Sequence, residues 1–103
     1  MAEKHYLIML DVDTRKRNYH VTEAGKINKF VVQLELKIDS AWRPVVRYDC
    51  SHDYAHKDCY NIHGKQRKIN LYLGYEEALT FADDDINENW KIYRAKFLEG
   101  VFP

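Results

Sequence analysis

Phe30-Val31-Val32-Gln33-Leu34-Glu35-Leu36-Lys37-Ile38 is the stretch on which the fold class turns. Phe30, Val32, Leu34, Leu36 and Ile38 alternate with Val31, Gln33, Glu35 and Lys37. Side chains of an extended strand point alternately to its two faces, so this period of two predicts a strand with one face on a core and the other largely in water. Asp39-Ser40 then offers a tight turn, and Trp42 to Tyr48 returns as a second strand, which makes an antiparallel hairpin. In that second strand Trp42, Val46 and Tyr48 share a face opposite Arg43, Val45 and Arg47. Pro44 has no N–H to donate to a ladder, so the strand is expected at a sheet edge or bulged at that point.

Toward the N-terminus, Tyr6 to Val12 reads as another strand, with Tyr6, Ile8, Leu10 and Val12 on one face and Leu7 and Met9 on the other, covered on both sides. Asp13 to Asn28 is polar and basic and contains Gly25, which predicts an exposed connection or a short hairpin arm around Asn18 to Val21. Toward the C-terminus, Ile69 to Leu73 alternates once more. From Tyr75 to Leu98 the period changes to about 3.6, with Tyr75, Ala78, Leu79, Ala82, Ile86, Trp90, Tyr93 and Phe97 forming one stripe of a helix. Glu76 and Glu77 in its first turn, with Arg94 and Lys96 near its end, suit the helix dipole, and Gly100 is a natural stop. The aromatic residues Phe81, Trp90, Tyr93 and Phe97 are assigned to packing or a subunit contact. Asp83-Asp84-Asp85 is read as a solvated face, because consecutive helical positions point about 100° apart and cannot all face one ion. The expected architecture is one α+β domain spanning the chain, with a three- to four-stranded, mainly antiparallel sheet packed against one long C-terminal helix.

Composition bounds the function. At 103 residues, with 46% hydrophobic and 31% charged residues, the chain has the make-up of a globular domain rather than a disordered or fibrous one. No run approaches the ~18 apolar residues of a membrane span, and Met1 to Leu10 lacks the pattern of a secretory leader. With only Cys50 and Cys59 as cysteines, a disulfide scaffold is not expected, and a reducing cytoplasm is. The zero net charge hides an asymmetry: 13 Lys/Arg face 9 Asp/Glu up to Asn70, and 3 face 7 from Leu71 onward. Either these are solvated faces, or a basic sheet face meets an anion through Arg15, Lys16 and Arg17 or Lys65, Arg67 and Lys68.

Arg47 to His63 carries nearly all the reactive groups, with three of the five histidines and both cysteines. Three readings compete. In the first, His52 and His56 are general base and acid, Asp49 orients an imidazole, and Arg47, Lys57 or Tyr48 stabilises a developing phosphorane or oxyanion, a set suited to metal-independent RNA cleavage. Lys57, Asp58, Lys65 and Arg67 are then the residues expected to contact substrate. In the second, Cys50, His52, His56, Cys59 and His63 hold a metal, although C-x-H-x3-H-x2-C-x3-H is not the paired spacing of a standard zinc site. In the third, the segment is structural, with Asp49 and Asp53 capping backbone amides in turns and His52 paired to a carboxylate. His5, His20 and His63 are expected at the surface.

The runs Phe30 to Glu35 and Trp42 to Asp49, with His52, His56, Asp58, Glu77 to Ala82 and Asn89-Trp90, resemble a family of small uncharacterised prokaryotic proteins with an R-Y-D-x-x-H-x-x-x-H segment. More distantly the chain is similar to the TumE-type toxins of toxin–antitoxin pairs. The resemblance implies a site of Arg47, Tyr48, Asp49, His52, His56 and Asp58, no cofactor, and RNA or an antitoxin-like protein as partner. Beside this stands a non-catalytic module that forms a homodimer or binds a partner through an exposed sheet edge or helix stripe. No membrane partner is expected.

Overall fold

The computed structural model describes residues Met1 to Pro103. Six strands, β1 (Ala2–Asp11), β2 (Thr14–Glu23), β3 (Lys26–Ile38), β4 (Ala41–Asp49), β5 (His56–Tyr60) and β6 (Gln66–Asn70), precede one helix, α1 (Tyr75–Glu99). The strands form one sheet in the order of the chain, each antiparallel to the next. The expected three or four strands are therefore six. Antiparallel neighbours need only short turns, and two of these turns are built alike: Ala24-Gly25 and Asp39-Ser40 all have positive φ, the requirement of a two-residue turn whose twist matches the flanking strands.

α1 lies across β3 and β4. Phe30, Val32, Leu34 and Leu36 of β3, Val45, Val46 and Tyr48 of β4, and Ala78, Ala82, Ile86 and Phe97 of α1 are buried in one cluster. The stripe read from the sequence is thus the face the helix turns to the sheet, and Tyr75, Leu79, Trp90 and Tyr93 pack at its margin. Phe81 remains 44% exposed but sets its edge against the Tyr48 ring. Gly100 ends the helix with φ +82°, its N–H donating to the Phe97 carbonyl while Val101 N–H donates to that of Lys96. A Cβ there would be strained by the positive φ and would stand 2.7 Å from Nε2 of the exposed His63, whose ring would have to move aside.

β2 escaped hydrophobic periodicity because its helix-facing positions are polar. Lys16 and Asn18 are 2% and 3% exposed, and the Lys16 ammonium reaches Asp83 at 2.5 Å and Asn87 at 2.8 Å on α1. The supposed exposed connection is a strand clamped to the helix by charge. Asp83-Asp84-Asp85 is likewise more than a solvated face, since Asp85 accepts hydrogen bonds from Tyr48, Tyr93 and Asn89. β5 was hidden for the same reason as β2, within a segment that looked like a loop. β1 is an edge, not a strand covered on both sides: Tyr6, Leu7, Ile8 and Met9 are each 40–56% exposed.

β4 is interior, between β3 and β5, so Pro44 does not mark an edge. It sits at a bulge, where the pairing with β3 shifts between Leu34 and Glu35. The extra residue changes the alternation. Trp42 therefore lies under the Arg15 guanidinium, 4.0 Å from its ring centre, instead of sharing a face with Val46 and Tyr48. The last strand ends at Asn70, whose Oδ1 accepts the N–H of Tyr72 and turns the chain toward α1. No helix of the chain is long and apolar enough to cross a membrane.

Candidate functional site

Strand alternation splits Arg47-Tyr48-Asp49 between the two faces of β4. Tyr48 points under the helix, fully buried, and its hydroxyl donates to Asp85. Burial and that carboxylate push the phenol far above its ordinary pKa. Tyr48 is thereby locked into the core and does not meet the reactive groups on the other face. Lys57, opposite it on β5, shares this environment: its ammonium is 3.1 Å from the Tyr93 hydroxyl and 3.5 Å from Asp85, and lies over both phenol rings. Burial raises the Asp85 carboxyl, but hydrogen bonds from Tyr48 and Tyr93 and the Lys57 charge outweigh it and hold the group below the carboxylate range.

The opposite face, which α1 leaves uncovered, carries a continuous polar row across four strands. Glu35 is 4% exposed and takes Nε of Arg15 at 2.5 Å, Nε of Arg17 at 3.1 Å and Nε2 of Gln33 at 2.6 Å. Gln33 Oε1 accepts from Arg47 Nη1, and Arg47 Nε donates to Asp49 Oδ2 at 2.6 Å. The other Asp49 oxygen faces the N–H and hydroxyl of Ser51 and, at 2.6 Å, His56 Nε2. Asp58 Oδ2 stands 3.5 Å beyond that nitrogen. For both Glu35 and Asp49, burial works against ionisation, and the surrounding donors and cations win: Arg15, Arg17 and Gln33 for the first, Arg47, His56 and the Ser51 amide for the second. Both carboxyls are held below their ordinary range.

The two site histidines have different fates. His56 is 1% exposed, with Nδ1 3.2 Å from the Tyr54 carbonyl and Nε2 on Asp49, so neither ring nitrogen opens to solvent. His52 is exposed on a short 3-10 turn (Ser51–Asp53), its ring centre 6.1 Å from that of His56. His52 and Asp53 both have positive φ, 72° and 65°, a conformation that costs a non-glycine residue about 1–2 kcal/mol. This turn forms one wall of a cleft of about 390 Å³, into which Lys29, Arg47, Asp49, Ser51 and His52 all project a surface.

Other expected participants lie elsewhere. Lys65 and Arg67 are exposed at and beside the β6 edge, Arg67 stacking over Phe102. Cys50 is buried against the Phe30 carbonyl, and Cys59, fully buried, has its thiol raised by burial. Of the five residues considered as a cysteine–histidine metal set, only His56 joins a convergent group of ligand-type side chains, and its companions are Asp49 and Asp58. Arg15 and Arg17, candidates for binding an external anion, are occupied by Glu35, and Lys16 by Asp83. Gln33, Glu35 and Ser51 were not singled out from sequence. The even spacing of Gln33 and Glu35 on β3 and of Arg15 and Arg17 on β2 was the available signal.

The model of one protein family, described as a domain of unknown function, DUF7718, matches residues 1–103. The chain belongs to that family. No curated protein and no solved structure matches it. For this DUF7718 chain the polar face and its cleft are therefore the basis for reasoning about function.

Proposed function

We propose that the chain binds RNA at the cleft beside the His52 turn and promotes proton transfer at a phosphodiester there. One observation carries this reading: Arg47, Asp49 and His52, far from equivalent in the strand pattern, share one opening with Lys29. Arg47 spends Nε on Asp49 and Nη1 on Gln33, and Nη2 is left to meet a phosphate oxygen. His52 is the imidazole that can exchange protons with a 2′-hydroxyl, because it is solvent-accessible and an imidazole can both accept and donate a proton. Asp49 remains a carboxylate that orients Arg47, and His56 acts through Asp49 as a positioning residue. The strained His52–Asp53 backbone supports the same assignment, since such conformations cluster where a side chain must be aimed.

The test compares a short RNA with its 2′-deoxy analogue, using the native chain, His52→Ala and Arg47→Ala. Cleavage of the RNA alone, lost at least tenfold in both variants, is expected. Equal cleavage by His52→Ala would remove the proton-transfer role, and no RNA binding by the native chain at low salt would remove the reading altogether. In a toxin–antitoxin setting, induced expression harms cells and His52→Ala relieves the harm.

A second reading, association through β1, is favoured by the exposed Tyr6, Leu7, Ile8 and Met9 on a strand with one unpaired backbone edge. A homodimer that dissociates on Leu7→Lys, followed by sedimentation at several concentrations, is its expected signature.

A further inference from the structure

We infer that Asp49, His56 and Asp58 form a binding site for one divalent first-row transition cation, Zn²⁺ or Mn²⁺. β4 and β5 place the three side by side: Asp49 and His56 are directly opposite in the ladder, and Asp58, two residues along β5, shares the face of His56. One ligand-type atom from each lies within 4.8 Å of the others. All three residues are buried, at 5%, 1% and 4% exposure.

Two independent features point to a cation between them. The Tyr54 carbonyl can only accept, so its 3.2 Å contact with Nδ1 of His56 requires the proton on that nitrogen. That leaves Nε2 as the nitrogen turned to the two carboxylates, the arrangement in which a backbone carbonyl fixes the ring of a metal-binding histidine, and a bound cation displaces the proton that Nε2 shares with Asp49. Secondly, Asp58 Oδ1 is buried with no hydrogen-bond partner. Arg47 compensates Asp49, but no lysine or arginine pairs with Asp58, whose one charged neighbour is His56 at 3.5 Å. A buried carboxylate oxygen with no donor is the defect that a bound ion repairs.

The donor set selects the ion. One imidazole and two carboxylates, with both thiols elsewhere, suit a borderline cation held by nitrogen and oxygen. Ligands about 2.1 Å from zinc stand about 3–3.5 Å apart, so the 2.6 Å Asp49–His56 contact opens slightly and the 3.5 Å His56–Asp58 spacing is already suitable. Three protein ligands leave a coordination position for water. The site shares Asp49 and His56 with the RNA reading but does not rest on it, because metal binding needs neither His52 nor Lys29.

The test uses the untagged full chain, stripped with EDTA and titrated calorimetrically with Zn²⁺ and, separately, Mn²⁺. Saturable binding of one equivalent of at least one cation is expected, with a rise in thermal midpoint. Asp58→Asn should weaken binding at least tenfold while keeping the metal-free fold by circular dichroism, and His52→Ala should bind like the native chain. If Asp58→Asn does not fold, His56→Gln takes its place. A Co²⁺ spectrum without thiolate charge-transfer bands is the third expectation. No saturable binding of either cation, native-like affinity in Asp58→Asn, or thiolate bands with Co²⁺ would each overturn the assignment.

Discussion

The two faces of β3 and β4 are built from neighbouring residues of the same strands yet are stabilised in opposite ways. Under α1, Phe30, Val32, Leu34, Val46 and Tyr48 are held by close packing, which is non-directional and tolerates any apolar shape that fills the space. On the other face Gln33, Glu35, Asp49 and, on β5, His56 are buried in a hydrogen-bonded row linked by the half-buried Arg47, and each group has particular partners. Such a row gains little net stability over an apolar replacement, but loses much when one member is removed and its partners stay buried.

The sharpest contrast comes from deletion on each side. Phe30→Ala leaves a large hole beneath Tyr75 and α1, and we expect it to cost about 3–5 kcal/mol in urea unfolding. Glu35→Ala strands Arg15, Arg17 and Gln33 but lets the two arginines swing toward water, and the expected loss is about 2–3 kcal/mol by the same measurement. If the second equalled or exceeded the first, the polar face, not the core, would be the principal support of the fold.

Acid should separate the faces further. Glu35 and Asp49 have carboxyls depressed in the folded chain, as does Asp85 beneath the helix. In the unfolded chain these groups take up protons near their ordinary values of 4.5, 3.8 and 3.8, before the folded chain does. Their contribution is therefore complete above those values and disappears as pH falls through the depressed ones. Thermal midpoints should drop below about pH 4 in the native chain, and drop less steeply in Glu35→Gln. The smallest effect is expected at the cleft: His52→Ala should alter unfolding free energy by no more than about 0.5 kcal/mol. A larger loss would give the His52 ring a packing role.

How far the sequence could be read follows the same division. β3 and α1 were legible because apolar residues mark their buried faces, and the Gly100 stop and the Asp39-Ser40 turn followed from local conformational rules. β2 and β5 were not, since Lys16, His56 and Asp58 are buried by ion pairs formed with other elements, which no periodicity of one strand records. The density of His and Asp after Arg47 was visible, but the pairing of Asp49 with His56 required the β4–β5 register. The separation of Tyr48 from Arg47 and Asp49 was already implicit in the alternation of the strand. Trp42 was misplaced because a bulge shifts the phase by one residue, and Pro44 signals such an irregularity without locating the extra residue.

The order of elements along the chain also bears on how the protein is born. All six strands leave the ribosome before α1, which brings Ala78, Ala82, Ile86 and Phe97 to the core. Until then the nascent sheet shows a bare greasy surface and a surplus of positive charge whose counterions, Asp83 and Asp85, are not yet synthesised or still threaded in the exit tunnel. The core therefore closes only once α1 has been made and has cleared the tunnel.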